Sequence, residues 1–314
     1  MTRDRKIRVV VTGGAGFIGS HLCEHLSGAG HPVLAIDDLS RGRRENLPPG
    51  FPLETLAIGA PEIGARLRAF APQALVHLAA QVDARRSLED PVFDAQVNIL
   101  DTVRLFAAAV AAGVERIVFA SSAAVYGDPE EIPTPEDSPL DPLSPYGVGK
   151  LAGEGYLSFF ARRHGIAGVA LRFANVYGPR QESVGEAGVV AVFCQRLLTG
   201  LPVTIHGDGR QTRDFVDVAD VARACELALF GRPGVYNVAT GIETDVRTLL
   251  ARLAAVLQPG APPVHGPAIA GEPRRSALDP SRADAVLGFR TTQELARGLV
   301  RTAEWFRDRS REAR

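Results

Sequence analysis

The sequence predicts an α/β fold: a doubly wound parallel sheet joined to a smaller C-terminal lobe. Three features predict it. A β-branched run, Val9-Val10-Val11-Thr12, enters a glycine turn and leaves it as a helix with Ile18, Leu22 and Leu26 at helical spacing. Short apolar runs and helical patterns then alternate through the first half of the chain. An acidic pair, Asp37-Asp38, ends the second apolar run, about 20 residues beyond the turn.

The turn carries G-x-x-G-x-x-G at Gly13, Gly16 and Gly19. Gly13 is expected to make the tight turn out of the strand. Gly16 would let the backbone approach a pyrophosphate, and Gly19 would let the helix pack closely on the sheet. The free N–H groups at the helix start then face phosphate. This is a Rossmann-type dinucleotide fingerprint. A carboxylate at Asp37 accepts hydrogen bonds from an adenosine ribose and repels a 2′-phosphate, which favours NAD over NADP. Arg41, Arg43 and Arg44 blunt that preference slightly.

The remaining elements follow in order. Residues 33–36 form a strand and 40–52 a polar loop. A weak strand over 53–58 and a helix over 62–70 come next. Residues 74–79 have few polar positions and read as a buried parallel strand. A long helix over 91–112 ends at Gly113, and 117–120 is a strand. A helix over 145–164 and a strand over 168–173 continue the first lobe. Beyond Asn175, glycine and proline punctuate shorter elements: a loop and helix over 185–198, a strand over 202–205, a helix over 218–230 returning to the first lobe, and a strand over 235–238. Residues 259–273 read as a loop covering a ligand, and 293–312 as an amphipathic tail helix frayed at its charged end.

The chain has 314 residues and a formal net charge of −1, which leaves no electrostatic footprint for nucleic acid or an anionic membrane. Cys23, Cys194 and Cys225 lack metal-ligand spacing and read as thiols in a reducing compartment. No metal site is expected. No stretch reaches the ~18 apolar residues of a membrane span. A cytoplasmic enzyme is the expectation.

The chemistry is concentrated in Tyr146-Gly147-Val148-Gly149-Lys150. Tyr146 and Lys150 share one face of a helix. An ammonium beside the phenol, with the positive nicotinamide of bound NAD, would favour the phenolate as a base. Ser121-Ser122 directly follows a strand, and ligands sit at the carboxyl ends of parallel strands. Ser122 is placed to donate to a substrate oxygen. Ser121 is as readily a cap of the following turn.

With these motifs the chain resembles an extended short-chain dehydrogenase/reductase of the nucleotide-sugar epimerase/dehydratase family, and within it the bacterial UDP-glucose 4-epimerases. The motifs run nearly end to end: 12–19, 37–40, 77–80, Asn98, 121–127, 146–150, 172–179 and 213–215. The resemblance implies an NAD-binding domain over 1–174, with segments returning near 213–240, and a nucleotide-sugar-binding lobe over 175–314. It implies an NAD site of Gly13, Gly16, Phe17, Ile18, Gly19, Asp37, Asp38, Ser40, Leu78, Ala79, Ala80, Asn98, Tyr146 and Lys150. Tyr146 would be the base, Lys150 would hold the nicotinamide ribose, and Ser122 would orient the sugar O4. Asn175 and Arg213 would contact the substrate diphosphate, Val189 and Val190 would lie near its nucleotide, and Glu272 would hold the nucleotide ribose. Ser276 stands where a large tyrosine excludes N-acetyl sugars, so both plain and N-acetylated UDP-hexoses are expected to fit.

The related dehydratases carry Asp-Glu directly after the catalytic hydroxyl residue, and the decarboxylases a glutamate two residues after it. Here Ala123-Ala124 stand there. The expected reaction is therefore NAD-dependent C4 epimerisation through a 4-keto sugar. A 4-ketoreductase or dehydrogenase that releases its cofactor, or an epimerase of an unusual nucleotide sugar such as UDP-glucuronate, are the alternatives. An NAD-sensing regulator is disfavoured by the intact Ser122, Tyr146 and Lys150.

Three positions depart from the family pattern. Ile269 replaces an arginine of the diphosphate site, unless Arg274 or Arg275 substitutes. Ala57-Ile58-Gly59 lacks an aspartate that holds the adenine, which implies weaker NAD binding. Asp101 stands at a usual glycine. The resemblance also implies a homodimer pairing the helices over 91–112 and 145–164. The stripe Val97, Leu100, Val103 and Ala107 suits either that interface or the core of one chain.

Overall fold

Strong β formers bounded by glycine or aspartate set the first lobe. In chain order it contains β1 (Val9–Thr12), α1 (Phe17–Gly28), β2 (Val33–Asp37), β3 (Leu53–Thr55), α2 (Ile63–Phe70), β4 (Ala74–His77), α3 (Ala84–Glu89), α4 (Pro91–Ala95), a π-helical turn (Gln96–Asp101), α5 (Thr102–Ala111), β5 (Arg116–Ser122), α6 (Pro145–His164) and β6 (Ala167–Phe173). The computed structural model describes residues 5–182, 188–257, 261–268 and 273–312.

Beyond β6 come β7 (Asn175–Tyr177), α7 (Val189–Leu198), β8 (Thr204–His206), β9 (Thr212–Asp217), α8 (Val218–Phe230), β10 (Gly234–Val238), β11 (Glu243–Asp245), α9 (Val246–Leu257), β12 (Val264–Gly266), α10 (Ser281–Leu287) and α11 (Leu295–Glu312). Seven parallel strands form one sheet in the order β10-β6-β5-β4-β1-β2-β3. The order reverses between β1 and β4, and the crevice above their carboxyl ends is where such sheets bind ligands.

Alternate residues of β1 enter opposite cores. Val9 and Val11 pack with α1 and α8, and Val10 packs with α2, α5 and α6. The smaller lobe has its own core, including Val190, Phe193, Leu249, Leu299 and Phe306. Its strands are few: β11-β9-β7 and the parallel pair β12-β8.

Several expectations need correction. The weak strand ends at Thr55, not residue 58. The long helix is interrupted by the π-turn over Gln96–Asp101. The segment 259–273 is not a plain loop, because Val264–Gly266 pairs with β8. Residues 259–260 and 269–272 of that segment lie outside the described residues, as do residues 185–187. Sequence periodicity did not reveal α3, β7, β9, β11, α9 or α10. Most of these are too short for a period to register, and β9 (Thr-Arg-Asp-Phe-Val-Asp) alternates poorly. Among the described residues no helix is long and apolar enough to cross a membrane.

Candidate active site

At the turn after β1 the chain takes left-handed backbone at Gly13 (φ 68°), where its N–H donates to the Ile36 carbonyl at 2.8 Å. A Cβ on Gly13 would stand 2.8 Å from the Ala79 amide nitrogen, so the two strand ends close on each other only with glycine there. A Cβ on Gly19 would overlap the Gly13 carbonyl. Gly19 thus packs α1 against the turn itself rather than against the sheet. Gly16 caps α1 without a side-chain bond, which leaves the first helical amides, at Phe17 and Ile18, for an anion.

Asp37 is buried at the end of β2. Its Oδ2 accepts from the Ala15 amide at 3.0 Å and its Oδ1 from the Leu39 amide at 2.9 Å. Burial pushes its carboxyl above the usual range, against those amides. Asp38 and Ser40 are exposed and occupied with each other: Asp38 Oδ1 accepts from the Ser40 amide (2.9 Å) and hydroxyl (2.5 Å). Leu78, Ala79 and Ala80 follow β4, partly exposed on the crevice's other side. The open amides at the start of α1, a carboxylate beyond the turn and a facing strand end without bulky side chains suit a dinucleotide. Ala57 and Ile58 provide no acceptor, and Ile58 is in the core.

Asn98 sits on the π-turn and is buried. Its amide is spent within the protein: Oδ1 accepts from the Gln81 amide, and Nδ2 donates to the Gln81 carbonyl and to Asp94 Oδ1, at 2.9–3.0 Å. Its side chain therefore shapes the strand end after β4.

Helix α6 carries the reacting groups. Ser144 caps it by accepting from the Gly147 amide, and Ser87 on α3 accepts from the Tyr146 amide at 3.2 Å. Three side chains one turn apart meet three successive residues of β5. The Tyr146 phenol lies by Ser122, near enough for that hydroxyl to bias its ionisation, Lys150 Nζ donates to the Ala120 carbonyl at 2.9 Å, and Glu154 accepts from the Ser121 hydroxyl at 2.5 Å. Adjacent strand residues point to opposite faces. Ser122 faces the crevice, and Ser121 faces away from it.

Burial raises the Tyr146 phenol to about 12, opposed by the Ser122 hydroxyl and assisted by the Asp94 carboxylate. Burial lowers Lys150 to about 8, opposed by Asp94. Desolvation dominates at Tyr146, and the influence that opposes it comes from Ser122 rather than from Lys150. The Lys150 ammonium lies 5.7 Å from the Tyr146 ring and is turned to the Ala120 carbonyl.

Behind Ser121 runs a buried polar row that sequence reading missed. Ser121, Arg172 and Asn237 are register partners across β5, β6 and β10. Arg172 chelates Glu154 at 2.9 and 2.7 Å and donates to Tyr126 Oη at 2.9 Å. Tyr126 donates to Asn237 Oδ1 at 2.8 Å, and Asn237 Nδ2 donates to the Thr134 and Asp279 carbonyls. The row ends beside the segment that carries Ser276. A signal was present: Glu154 continues the spacing of Tyr146 and Lys150.

The substrate-side residues scatter over the smaller lobe. Asn175 is exposed at the start of β7. Val189 and Val190 open α7; Val189 is partly exposed and Val190 is buried in the lobe's core. Arg213 lies on β9 and donates to the Thr212 carbonyl at 2.7 Å. The Thr212 amide donates to the Arg274 carbonyl at 3.1 Å, which brings β9 beside the partly exposed Ser276. Arg274 is engaged with Asp208, and Arg275 with Glu243. Ile269 and Glu272 lie outside the described residues.

The model of the NAD dependent epimerase/dehydratase family matches residues 9–239. The UDP-glucose 4-epimerase of Mycolicibacterium smegmatis is 45% identical over 315 residues, spanning 97% of this chain and 100% of that protein. The structure of Thermotoga maritima UDP-glucose 4-epimerase with UDP-glucose superimposes with a TM-score of 0.94 at 40% identity, over 96% of this chain and 99% of that one. The complex of Thermus thermophilus UDP-glucose 4-epimerase with NAD gives 0.91 at 43% identity, again over 96% and 99%.

Proposed function

The chain belongs to the NAD-dependent epimerase/dehydratase family, and from that premise we propose that it interconverts UDP-hexoses at C4. The observation that carries this reading is the meeting of Ser122, Tyr146 and Lys150 above β5, followed by Ala123-Ala124, which offer no acid or base for elimination. NAD bound between the glycine turn and Asp37 supplies reversible oxidation at C4.

In this reading the protein's own groups do the following. Ser122 orients the sugar O4. Tyr146 takes the 4-hydroxyl proton and returns it after the ring has turned. Burial disfavours the phenolate, and a positively charged cofactor beside it would favour it. Lys150 holds the nicotinamide ribose. Arg213 and Asn175 grip the diphosphate, so the 4-keto ring turns without leaving. Ser276 leaves room for an N-acetyl group, so UDP-Glc/UDP-Gal and UDP-GlcNAc/UDP-GalNAc are both substrates.

The test is NMR of purified protein with UDP-Glc and UDP-GlcNAc separately and no added NAD. Conversion of each to its 4-epimer is expected, with loss of at least 100-fold, on the order of a general base's contribution, in Tyr146→Phe. Conversion only after NAD is added would leave epimerisation standing with a loosely held cofactor. No turnover in either condition would overturn the reading.

We place the enzyme in the cytoplasm, the compartment holding both small-molecule ligands, as a homodimer. An apolar surface supports the dimer. Val92, Leu100, Val148 and Phe159 on α4, the π-turn and α6 are 48–79% exposed, and Val148 lines a groove of about 400 Å³ with Pro91, Ile99 and Leu143. Leu100 and Ala107 of the stripe are exposed, while Val97 and Val103 are partly buried and Val103 packs against the core.

A further inference from the structure

Two departures from the family pattern, the loop after the third strand without a side-chain acceptor and the aspartate at 101, meet in space. The loop after β3 runs through Ala57, Ile58 and Gly59, and Asp101 belongs to the π-turn of a different layer. A Cβ on Gly59 would overlap the Asp101 carboxylate. Gly59 is not in left-handed backbone, so its conformation does not call for glycine. The carboxylate lying against it does.

The π-turn makes this approach possible. Its wider turn shifts side chains around the helix axis. Asn98 faces Gln81 while Asp101, three residues on, faces the loop after β3. The Asp101 side chain is only 16% exposed. Its Oδ1 accepts from Gln96 Nε2 and from Arg104 Nη1, each at 2.8 Å. Its Oδ2 accepts from no described residue.

The place matters because of what precedes it along the crevice. The pyrophosphate belongs at the start of α1 beside β1, and the ribose at Asp37 on β2. The base therefore lies further outward, over the carboxyl end of β3. The Leu56 amide donates to the Asp37 carbonyl at 3.0 Å, which fixes that loop beside the ribose position. No side chain from 57 to 59 can accept a hydrogen bond there.

Resting on the reading of NAD as cofactor, we infer that Asp101 recognises the adenine: its carboxylate accepts from the exocyclic amine, an acceptor delivered from the π-turn rather than from β3. The simpler role for Asp101, an intrahelical partner of the exposed Arg104 and nothing more, predicts indifference to the base.

The experiment is dinucleotide exchange on the full-length enzyme. Protein is equilibrated with NAD and nicotinamide hypoxanthine dinucleotide, which has a 6-oxo group in place of the 6-amino group, and bound dinucleotide is extracted and quantified. The wild type is expected to prefer NAD by about tenfold or more, the worth of a bond to a charged acceptor. Asp101→Gly is expected to bind the two within about threefold of each other. Asp101→Asn keeps the shape and can donate to the 6-oxo group, so it shifts the ratio toward the hypoxanthine form and serves if the glycine variant folds poorly. A wild-type preference below about threefold, or one that persists undiminished in the variants, overturns the assignment. Protein that takes up neither dinucleotide overturns the cofactor reading itself, and needs no sugar turnover to show it.

Discussion

His77 shows how a single residue can be read for stability. Its ring joins β1 to α5, Nδ1 meeting Thr12 Oγ1 at 2.8 Å and Nε2 meeting Thr102 Oγ1 at 3.1 Å. Burial lowers its pKa to about 3, helped by the nearby Lys150 charge. The folded ring stays neutral while the unfolded chain takes up a proton below its ordinary value near 6.5. Its contribution to stability is therefore complete above about pH 6.5 and is lost progressively as pH falls toward 3, by about 2 kcal/mol at pH 5. Thermal unfolding of wild type and His77→Asn between pH 7.5 and 5 checks this, with the wild type showing the steeper loss. Gly19 makes a second residue-scale case. Gly19→Ala puts a methyl into the Gly13 carbonyl, so it should cost about 1–3 kcal/mol and lower the NAD retained through purification.

At the scale of elements, the register of α6 on β5 decides the chemistry. Lys150 and Glu154 are held by Ala120 and Ser121, which sets Tyr146 beside Ser122, and Glu154 is held in turn by Arg172, with both partners of that pair more than 90% buried. Arg172→Met would leave the Glu154 carboxylate buried and unpaired, an expected loss of about 3–5 kcal/mol measurable by denaturant titration. Ser121→Ala is gentler. It keeps the fold and loosens the strand end, so turnover should fall several-fold while KM for the nucleotide sugar changes little. Steady-state kinetics separate that from a role in the crevice, which would move KM as well. The limits of α6 were legible in the sequence, because Ser144-Pro145 begins a helix and Gly165, in left-handed backbone, ends one. The π-turn was not legible. Its residues fit an uninterrupted helix by composition, and it is stabilised by Asn98, Gln81 and Asp94 contacts that join separate segments.

For the whole molecule, the crevice is made by two lobes that trade segments. α8 and β10 return to the large sheet after β7, α7 and β9 have built the smaller lobe, and Asp214 ties the two returning connections by accepting from the Thr240 and Gly241 amides. If α4 and α6 form the dimer face, Val148→Asp with Phe159→Asp should give a monomer by light scattering, with the glycine turn and Asp37 undisturbed and NAD still bound. Local sequence was enough for the strand–glycine–helix unit, the carboxylate at Asp37, the shared face of Tyr146 and Lys150, and the serine at a strand end. Each rests on neighbours a few residues apart, where backbone sterics and helix or strand period suffice. Tertiary packing alone turns Ser121 away from the crevice to Glu154, spends Asn98 on Gln81, desolvates Tyr146 and lays Asp101 against Gly59. Those outcomes depend on which groups distant in the chain share one desolvated space, and neither spacing nor composition encodes that.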